Sequence, residues 1–260
     1  MPAAPTPLEP AMRDPRKLRR TAWFLIGMMV VGGVMIHFAY QKSAKRQDQD
    51  ARPSIVARIA KEKDLRVLRQ DGAQVDLLEN EGKVWIAAAI SASQLETSAR
   101  TLAVMKRLAE KYAGREDFVL VCLVVDSGER EKLDALLADT ATKIGATLPQ
   151  WWVVSQRQEE LHKFVKNELK ASLYPHQAAD GKWSFDTSLV LIDRNRHVRQ
   201  AVIPQKQGGQ PFVARFDFDQ AAEWDAKGVK SGTDRSNAEE LESRLGETIE
   251  TLLAEPKESK

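Results

Sequence analysis

Five polar side chains, Ser91, Ser93, Gln94, Thr97 and Ser98, follow directly on an uninterrupted apolar run from Val84 to Ile90. A strand buried on both faces, a short loop and a helix N-terminus would explain that juxtaposition. Ser93 stands three residues ahead of Glu96, the spacing of a capping box, so a helix is expected to begin there. Leu95, Ala99, Leu102, Met105, Ala109 and Tyr112 then give that helix one apolar face. Gln94 and Ser98 share a helix face, and with the N-terminal N–H groups they could hold an anion. Against that reading, no glycine-rich phosphate loop and no G-x-S-x-G elbow accompanies them. By themselves the five are capping and surface residues.

Other reactive groups are sparse. Cys122 is the single cysteine, which excludes an intrachain disulfide framework and a thiolate metal cluster. It lies mid-strand among Val121, Leu123 and Val124, where a cysteine acts as a small hydrophobe rather than a nucleophile. His162 sits on a charged helix beside Glu159 and Glu160, and His176 in a loop. Both are expected to be exposed rather than to form a metal site.

The elements that position these residues are legible from periodicity. Leu65–Leu68 and Val75–Leu77 flank Asp71-Gly72, a dipeptide suited to a hairpin turn. Phe118–Val125 reads as a second buried strand. Asp126 or Ser127 should open a helix carrying Leu133, Leu136, Leu137, Thr140 and Ile144. Trp151–Val154 is a short strand, and Gln158–Lys170 a helix. Ser188–Ile192 and Val198–Val202 form strands about the Asp193–Arg196 turn, and Glu239–Leu253 is an amphipathic helix. Strands alternating with helices, then a hairpin and a helix, predict an α/β three-layer sandwich with a mixed sheet.

Thr21 to Tyr40 is twenty residues without a charge, long enough as a helix to cross a bilayer core of roughly 30 Å. A cleavable signal peptide would have a shorter apolar core and a small-x-small site; here His37-Phe38-Ala39-Tyr40-Gln41-Lys42 follows. An uncleaved transmembrane anchor is therefore expected, with Trp23 and Tyr40 near its two interfaces. His37 fits an interfacial side chain. Arg13, Arg16, Lys17, Arg19 and Arg20 precede the span, against Lys42, Lys45, Arg46 and Arg52 after it. That slight excess orients the N-terminus to the cytoplasm of a bacterial cell and the bulk of the chain to the periplasm. Residues 41–64 read as a polar linker, with a helical turn over Ser54–Lys63 carrying Ile55, Val56 and Ile59. The formal net charge of +2 with 29% charged residues argues against nucleic acid as a partner.

Several short stretches stand in register with one family. They are Gln70-Asp71-Gly72 to Leu77, Gly82-Lys83-Val84-Trp85, Val124-Val125-Asp126 with Glu129, Leu148-Pro149-Gln150-Trp151, and Leu189-Val190-Leu191-Ile192-Asp193-Arg194. In order and spacing, the chain from Leu68 to about Val202 resembles the SCO/SenC family. Those are membrane-anchored, thioredoxin-like proteins that help to assemble the copper centre of cytochrome c oxidase. The resemblance implies a thioredoxin-like three-layer sandwich with a mixed sheet, preceded by one N-terminal transmembrane helix. It also implies an inner-membrane location and respiratory oxidase subunits as partners.

The departures bear on chemistry. The family's C-x-x-x-C motif falls on Gln94 and Ser98, and its histidine ligand on Phe185, beside Asp186; no histidine lies between His176 and His197. Cuprous copper selects thiolate and imidazole, for which amide and hydroxyl oxygens are poor substitutes. Disulfide exchange needs two sulfurs. Neither a metal nor a redox role carries over, so no cofactor and no enzymatic activity are expected. The competing expectations are a thiol enzyme working through Cys122 and a copper carrier with unusual ligands.

The resemblance leaves Pro204–Asn237 unexplained, where Phe212, Phe216, Phe218 and Trp224 alternate with acidic residues. Those rings either dock a partner or pack over the sheet. Trp151 and Trp152 pose the same choice, since strand alternation sends one inward and one outward. Phe216, Phe218, Trp224, Trp151 and Trp152 are thus the candidate partner-binding residues. The expected organisation is a tail at 1–20, an anchor at 21–40, a linker at 41–64, a domain at 65–255 with an irregular insert at 204–237, and a tail at 256–260. The expected role is that of a non-catalytic accessory or scaffold in oxidase assembly.

Overall fold

A computed structural model of the 260-residue chain describes residues 15–49, 53–128, 130–203, 212–229 and 234–256. Two units separate, residues 1–51 and residues 52–260. The described residues of the first form one helix, α1 (Pro15–Gln49). Its segment Pro15–Phe38 has a mean hydropathy of 1.8 and is long and apolar enough to cross a membrane, the one such helix among the described residues. Trp23, Phe24, Met29 and Ile36 are all exposed along it. The helix continues through Gln41–Gln49, which the sequence pattern assigned to a polar linker. The side chain of Tyr40 lies outside the described residues.

The second unit is built on three parallel strands, β4 (Val84–Ile90), β5 (Phe118–Val124) and β6 (Trp151–Ser155), numbered in chain order after β1 (Ser54–Arg58), β2 (Arg66–Arg69) and β3 (Gln74–Asp76). All three are buried along their whole length, which is why their sequences are apolar except for Ser155, whose hydroxyl donates to the Val124 carbonyl at 2.8 Å. Parallel strands need crossovers, supplied by α2 (Ala99–Lys111) and α3 (Arg130–Ile144). Because the chain steps across the sheet in one direction, right-handed crossovers put both helices on one face. Val84, Ile86, Ala88 and Ile90 meet Met105, Leu108, Leu133 and Leu137 there. Trp85, Ala87 and Ala89 point the other way, into a core with Ile59, Leu77 and α4 (Gln158–Asn167) through Leu161, Phe164 and Val165.

Antiparallel strands complete the sheet. The remaining strands are β7 (His176–Gln177), β8 (Trp183–Ser184), β9 (Val190–Ile192), β10 (His197–Ile203) and β11 (Phe212–Ala214). The order is β1-β10-β9-β4-β5-β6-β2-β3, with β11 also pairing with β10; β7 and β8 form a separate hairpin. Helices α5 (Phe218–Ala226) and α6 (Asn237–Ala254) join the face of α2 and α3 through Phe218, Leu245 and Ile249. The result is a thioredoxin-like three-layer sandwich with a mixed sheet, as expected.

Four local expectations are corrected. Ser54–Arg58 is not helical but an edge strand, pairing with β10 from Ser54↔Gln200 to Arg58↔His197 with a bulge between Ile55 and Ala57. Helix α3 opens at Arg130, not at Asp126 or Ser127, because both of those side chains are bonded elsewhere. Pro204–Asn237, expected to be irregular, contains β11 and α5; residues 204–211 and 230–233, and the side chain of Phe212, lie outside the described residues, as does Glu129. The α2 face is Thr101, Val104, Met105, Leu108 and Tyr112, with Leu102 and Ala109 at its margin and Ala99 exposed.

A buried charged cluster fastens β1 to the rest. Arg199 donates from Nε to Asp193 at 2.7 Å, from Nη1 to the Pro53 carbonyl at 2.8 Å and from Nη2 to Glu255 at 3.1 Å. Burial alone would raise the Asp193 carboxyl, but the His197 amide and the Arg199 guanidinium outweigh it and hold it below the ordinary carboxylate range.

Candidate functional site

The loop after β4 is organised by a residue that the sequence pattern assigned to a helix start. Asp126, just past the end of β5, accepts from the Ser91 hydroxyl at 2.7 Å, the Ala92 N–H at 2.7 Å, and the Ser93 N–H and hydroxyl at 2.8 and 2.7 Å. The adjacent parallel strands β4 and β5 end side by side, Ile90 against Val124, which brings the two loops together. Ser93 therefore caps nothing. The chain makes a short 3-10 turn over Leu95–Ser98 before α2 begins at Ala99, and neither Gln94 nor Ser98 makes a side-chain cap. The capping box expected at Ser93 and Glu96 is absent because Asp126 already holds the Ser93 hydroxyl.

Gln94 and Ser98 are accordingly structural in geometry. The Gln94 Oε1 accepts from the Trp183 N–H at 3.0 Å, joining the loop to the β7–β8 hairpin. Ser98 is fully buried, and its hydroxyl has no hydrogen-bond partner among the described residues. One turn on, the Thr101 hydroxyl donates to the Thr187 carbonyl at 2.7 Å, so the start of α2 lies along the 183–187 segment. Phe185 belongs to that segment and is packed in the α4-side core. Its neighbour Asp186 is buried and accepts from Ser172, Ser188 and Arg215. Burial pushes the Asp186 carboxyl up, but the bonds from Ser188 and Ser172 win and hold it below its usual value.

The three positions aligned with the family's ligands thus gather around one loop but present an amide, a hydroxyl and a phenyl ring. None is a soft donor, so this set does not fit cuprous copper. Among the described residues no group of three or more His, Cys, Asp or Glu side chains could hold a metal ion.

Cys122 lies away from this loop, inside the sheet. It is fully buried, with the Trp151 indole N–H donating to its Sγ at 3.3 Å and the Met105 Sδ at 3.8 Å. Burial pushes the thiol up to about 12, the Trp151 bond opposing it only in part. A thiol held there is protonated at neutral pH and out of reach, so it cannot act as a nucleophile in the folded chain.

His162, expected on an exposed helix face, is buried instead. Its Nε2 bonds the Val125 carbonyl at 2.8 Å, and Tyr174 and Trp183 meet its ring edge-on with centroids 5.7 Å away. His176 is exposed, as expected, with Nδ1 3.0 Å from the Tyr174 carbonyl. Neither histidine is bonded to Cys122.

Of the rings considered for partner binding, Trp151, Trp152, Phe216 and Phe218 are buried. Trp151 packs in the α2-side core and Trp152 in the α4-side core, so alternation sends them to opposite faces that are both covered. Arg69 lies over the Trp152 ring at 5.0 Å, and its indole donates to the Pro149 carbonyl at 2.9 Å. A ring already packed in the core offers nothing to a partner. Trp224, 37% exposed, is the one of the five at the surface. Trp183 and the Thr101–Thr187 contact were not singled out from sequence, and Asp126 was noted as a strand end and a helix start but not as the residue that holds the loop after β4.

No protein-family model and no curated protein matches the chain. Among solved structures it is similar to a SCO1/SenC family lipoprotein from Bacillus anthracis, at 21% identity, covering 58% of this chain and 88% of that one with a TM-score of 0.46. It is also similar to BsSco, described as a member of the Sco family of cytochrome c oxidase assembly proteins, at 15% identity, 78% and 98% coverage and a TM-score of 0.49. A third is Arabidopsis thaliana ScoI, solved with copper bound, at 13% identity, 71% and 97% coverage and a TM-score of 0.43. All three TM-scores lie below 0.5, and the architecture described above rests on this chain's own strand order and flanking helices.

Proposed function

We propose that this protein is a membrane-anchored, non-catalytic accessory or scaffold in the assembly of a respiratory oxidase. The carrying observation is the loop after β4. Where the resembled family places two thiols, this chain has Gln94, bonded to Trp183, and the buried Ser98, and just ahead of them Ser91, Ala92 and Ser93 are bonded to Asp126. The Ser91–Gln94 donors and acceptors are spent within the fold and Ser98 is buried, which suits a rigid surface rather than a metal or thiol centre. The motif order from Gln70 to Arg194 supports the oxidase link. Helix α1 supports the anchor, because a helix satisfies its own backbone polar groups in lipid; the basic residues ahead of it support a periplasmic domain.

The test is affinity capture of the full chain from detergent-solubilised membranes. Recovery of oxidase subunits is the expected result. Their absence, with the bait folded and abundant, removes the oxidase link. A separate titration with cuprous ion against a competing chelator is expected to give no binding tighter than about micromolar; tighter binding would overturn the metal-free reading.

A further inference from the structure

His162 is buried on α4 and touches three separate parts of the domain. Its Nε2 bonds Val125 at the end of β5. Its ring packs edge-on with Tyr174 in the loop before β7 and with Trp183 in β8. Trp183 in turn donates its N–H to Gln94 in the loop after β4. The β7–β8 hairpin has two residue pairs, His176↔Ser184 and Gln177↔Trp183, and no rung to the main sheet. The bonds of its turn, Ala178 N–H to Lys182 O and Gln177 Nε2 to Gly181 O, are internal.

We propose that His162 is an acid-sensitive latch that holds the β7–β8 hairpin and Trp183 against the loop after β4. To donate to the Val125 carbonyl the neutral ring must carry its proton on Nε2, leaving Nδ1 bare. Nδ1 makes no hydrogen bond among the described residues. Adding one solvent proton there puts a full charge on a residue that is 5% exposed and packed against two aromatic side chains. The charged groups on the surrounding elements are engaged elsewhere. Glu159 pairs with Lys163, Lys166 donates to the Ala171 and Ser172 carbonyls, Asp126 holds Ser91–Ser93, and Asp180 faces Lys182. His176 is exposed beside the Tyr174 carbonyl. No carboxylate is therefore bonded to His162 to hold the charged ring in place. The ring leaves for water, and Tyr174 and Trp183 lose the edge they pack on.

Burial holds the His162 imidazole below its ordinary value, with the Val125 carbonyl opposing. The unfolded or opened segment thus takes up the proton first. The closed latch is unaffected above about pH 6.5, the ordinary imidazole value, and weakens as pH falls from there to the lowered folded value. The opening equilibrium rises by up to about tenfold per pH unit in that window. This inference stands on the packing of α4 and does not depend on the proposed partner.

The test is amide hydrogen exchange, corrected for the intrinsic pH dependence, on the full chain in detergent micelles. Protection of the Trp183 amide is expected to fall about tenfold per unit below about pH 6.5. The same fall is expected in His176→Gln, and none in His162→Gln, which can still donate to Val125 but cannot titrate. A flat wild-type profile, a fall that survives in His162→Gln, or its loss in His176→Gln would overturn the proposal. If His162→Gln does not fold, NMR titration of the wild-type ring decides. Its midpoint must lie below about pH 6.5, at the pH where the fall in Trp183 protection levels off, and a mismatch overturns the latch.

Discussion

Asp126 and Ser93 meet twice, the carboxylate accepting from the Ser93 N–H at 2.8 Å and from its hydroxyl at 2.7 Å. Together with the Ser91 hydroxyl and the Ala92 N–H, that makes four donors on one side chain. Charge-assisted bonds of this kind contribute about 1.5–3 kcal/mol each where water cannot replace them. Asp126 is half-buried, so water takes over part of the role when it is removed. Asp126→Ala is expected to cost about 2–3 kcal/mol in urea unfolding, and Asp126→Asn about half of that. Increased exchange at the Ala92 and Ser93 amides should accompany the loss. An Asp126→Ala chain with unchanged stability and protection would mean that the loop is held by something else.

Cys122 supplies a second prediction with a defined sign. Its folded value of about 12 lies above the ordinary 9.0, so the native thiol keeps its proton after the unfolded one has lost it. The stability this contributes is complete below about pH 9 and is lost as pH rises toward about 12, at up to about 1.4 kcal/mol per unit. Urea midpoints of wild type and Cys122→Ala, compared from about pH 8 to about pH 10.5, should converge by an amount of that order. Maleimide labelling of the native chain should run at the rate of unfolding. Rapid labelling of folded protein would restore the thiol-enzyme reading.

The aromatic residues separate into core and surface. Trp151→Ala removes a ring that fills the α2-side core and bonds Cys122, and should cost about 3–5 kcal/mol. Trp224→Ala should cost under about 1 kcal/mol, because the ring is partly in water. Loss of partner capture in Trp224→Ala at unchanged stability would mark this residue as a contact. Equal destabilisation by both changes would contradict the packing described.

Asp193 gives the acid-side counterpart. Its carboxyl sits below the ordinary range, chiefly because the His197 amide and Arg199 outweigh its burial. The stability it contributes is present above the unfolded value, about 3.9, and is lost as pH falls through the lower folded value. Asp193→Asn leaves Arg199 buried without its closest counter-charge and is expected to cost about 3 kcal/mol at neutral pH. The deficit should shrink below about pH 4. A deficit that is constant across that range would show that the carboxyl is not the titrating group.

How far the sequence could be read follows from where each signal originates. Val84–Ile90 and Phe118–Val124 were legible because a strand covered on both faces is built almost wholly of apolar residues. The Ser236–Glu239 capping box agrees with the expected start of the last helix, since both partners are local. Ser93 has the same local spacing, yet its hydroxyl goes to Asp126, a competitor 33 positions away that no periodicity reveals. His162 follows the same rule. Its neighbours Glu159 and Glu160 are exposed, but the ring itself is buried by Tyr174 and Trp183 from distant loops. At the candidate site, the identities of Gln94, Ser98 and Phe185 were readable and their contacts were not.

Strand β1, which local pattern read as a helical turn, yields the most direct test of the domain boundary. Ile59 is fully buried, with its N–H bonded to the Arg196 carbonyl at 2.9 Å and its carbonyl accepting from Arg196 Nη1 at 3.1 Å. Pro53 offers its carbonyl to Arg199. A chain beginning at Lys61 loses one buried isoleucine, about 2–5 kcal/mol, and strands two buried guanidinium donors at about 1.5–3 kcal/mol each. That sum rivals the whole stability of an ordinary domain, about 5–15 kcal/mol. A chain beginning at Pro53 should therefore unfold cooperatively in urea, while one beginning at Lys61 should be unfolded or aggregate through the bared edge of β10. Matching midpoints for the two would make residues 53–60 the spacer that their sequence suggests.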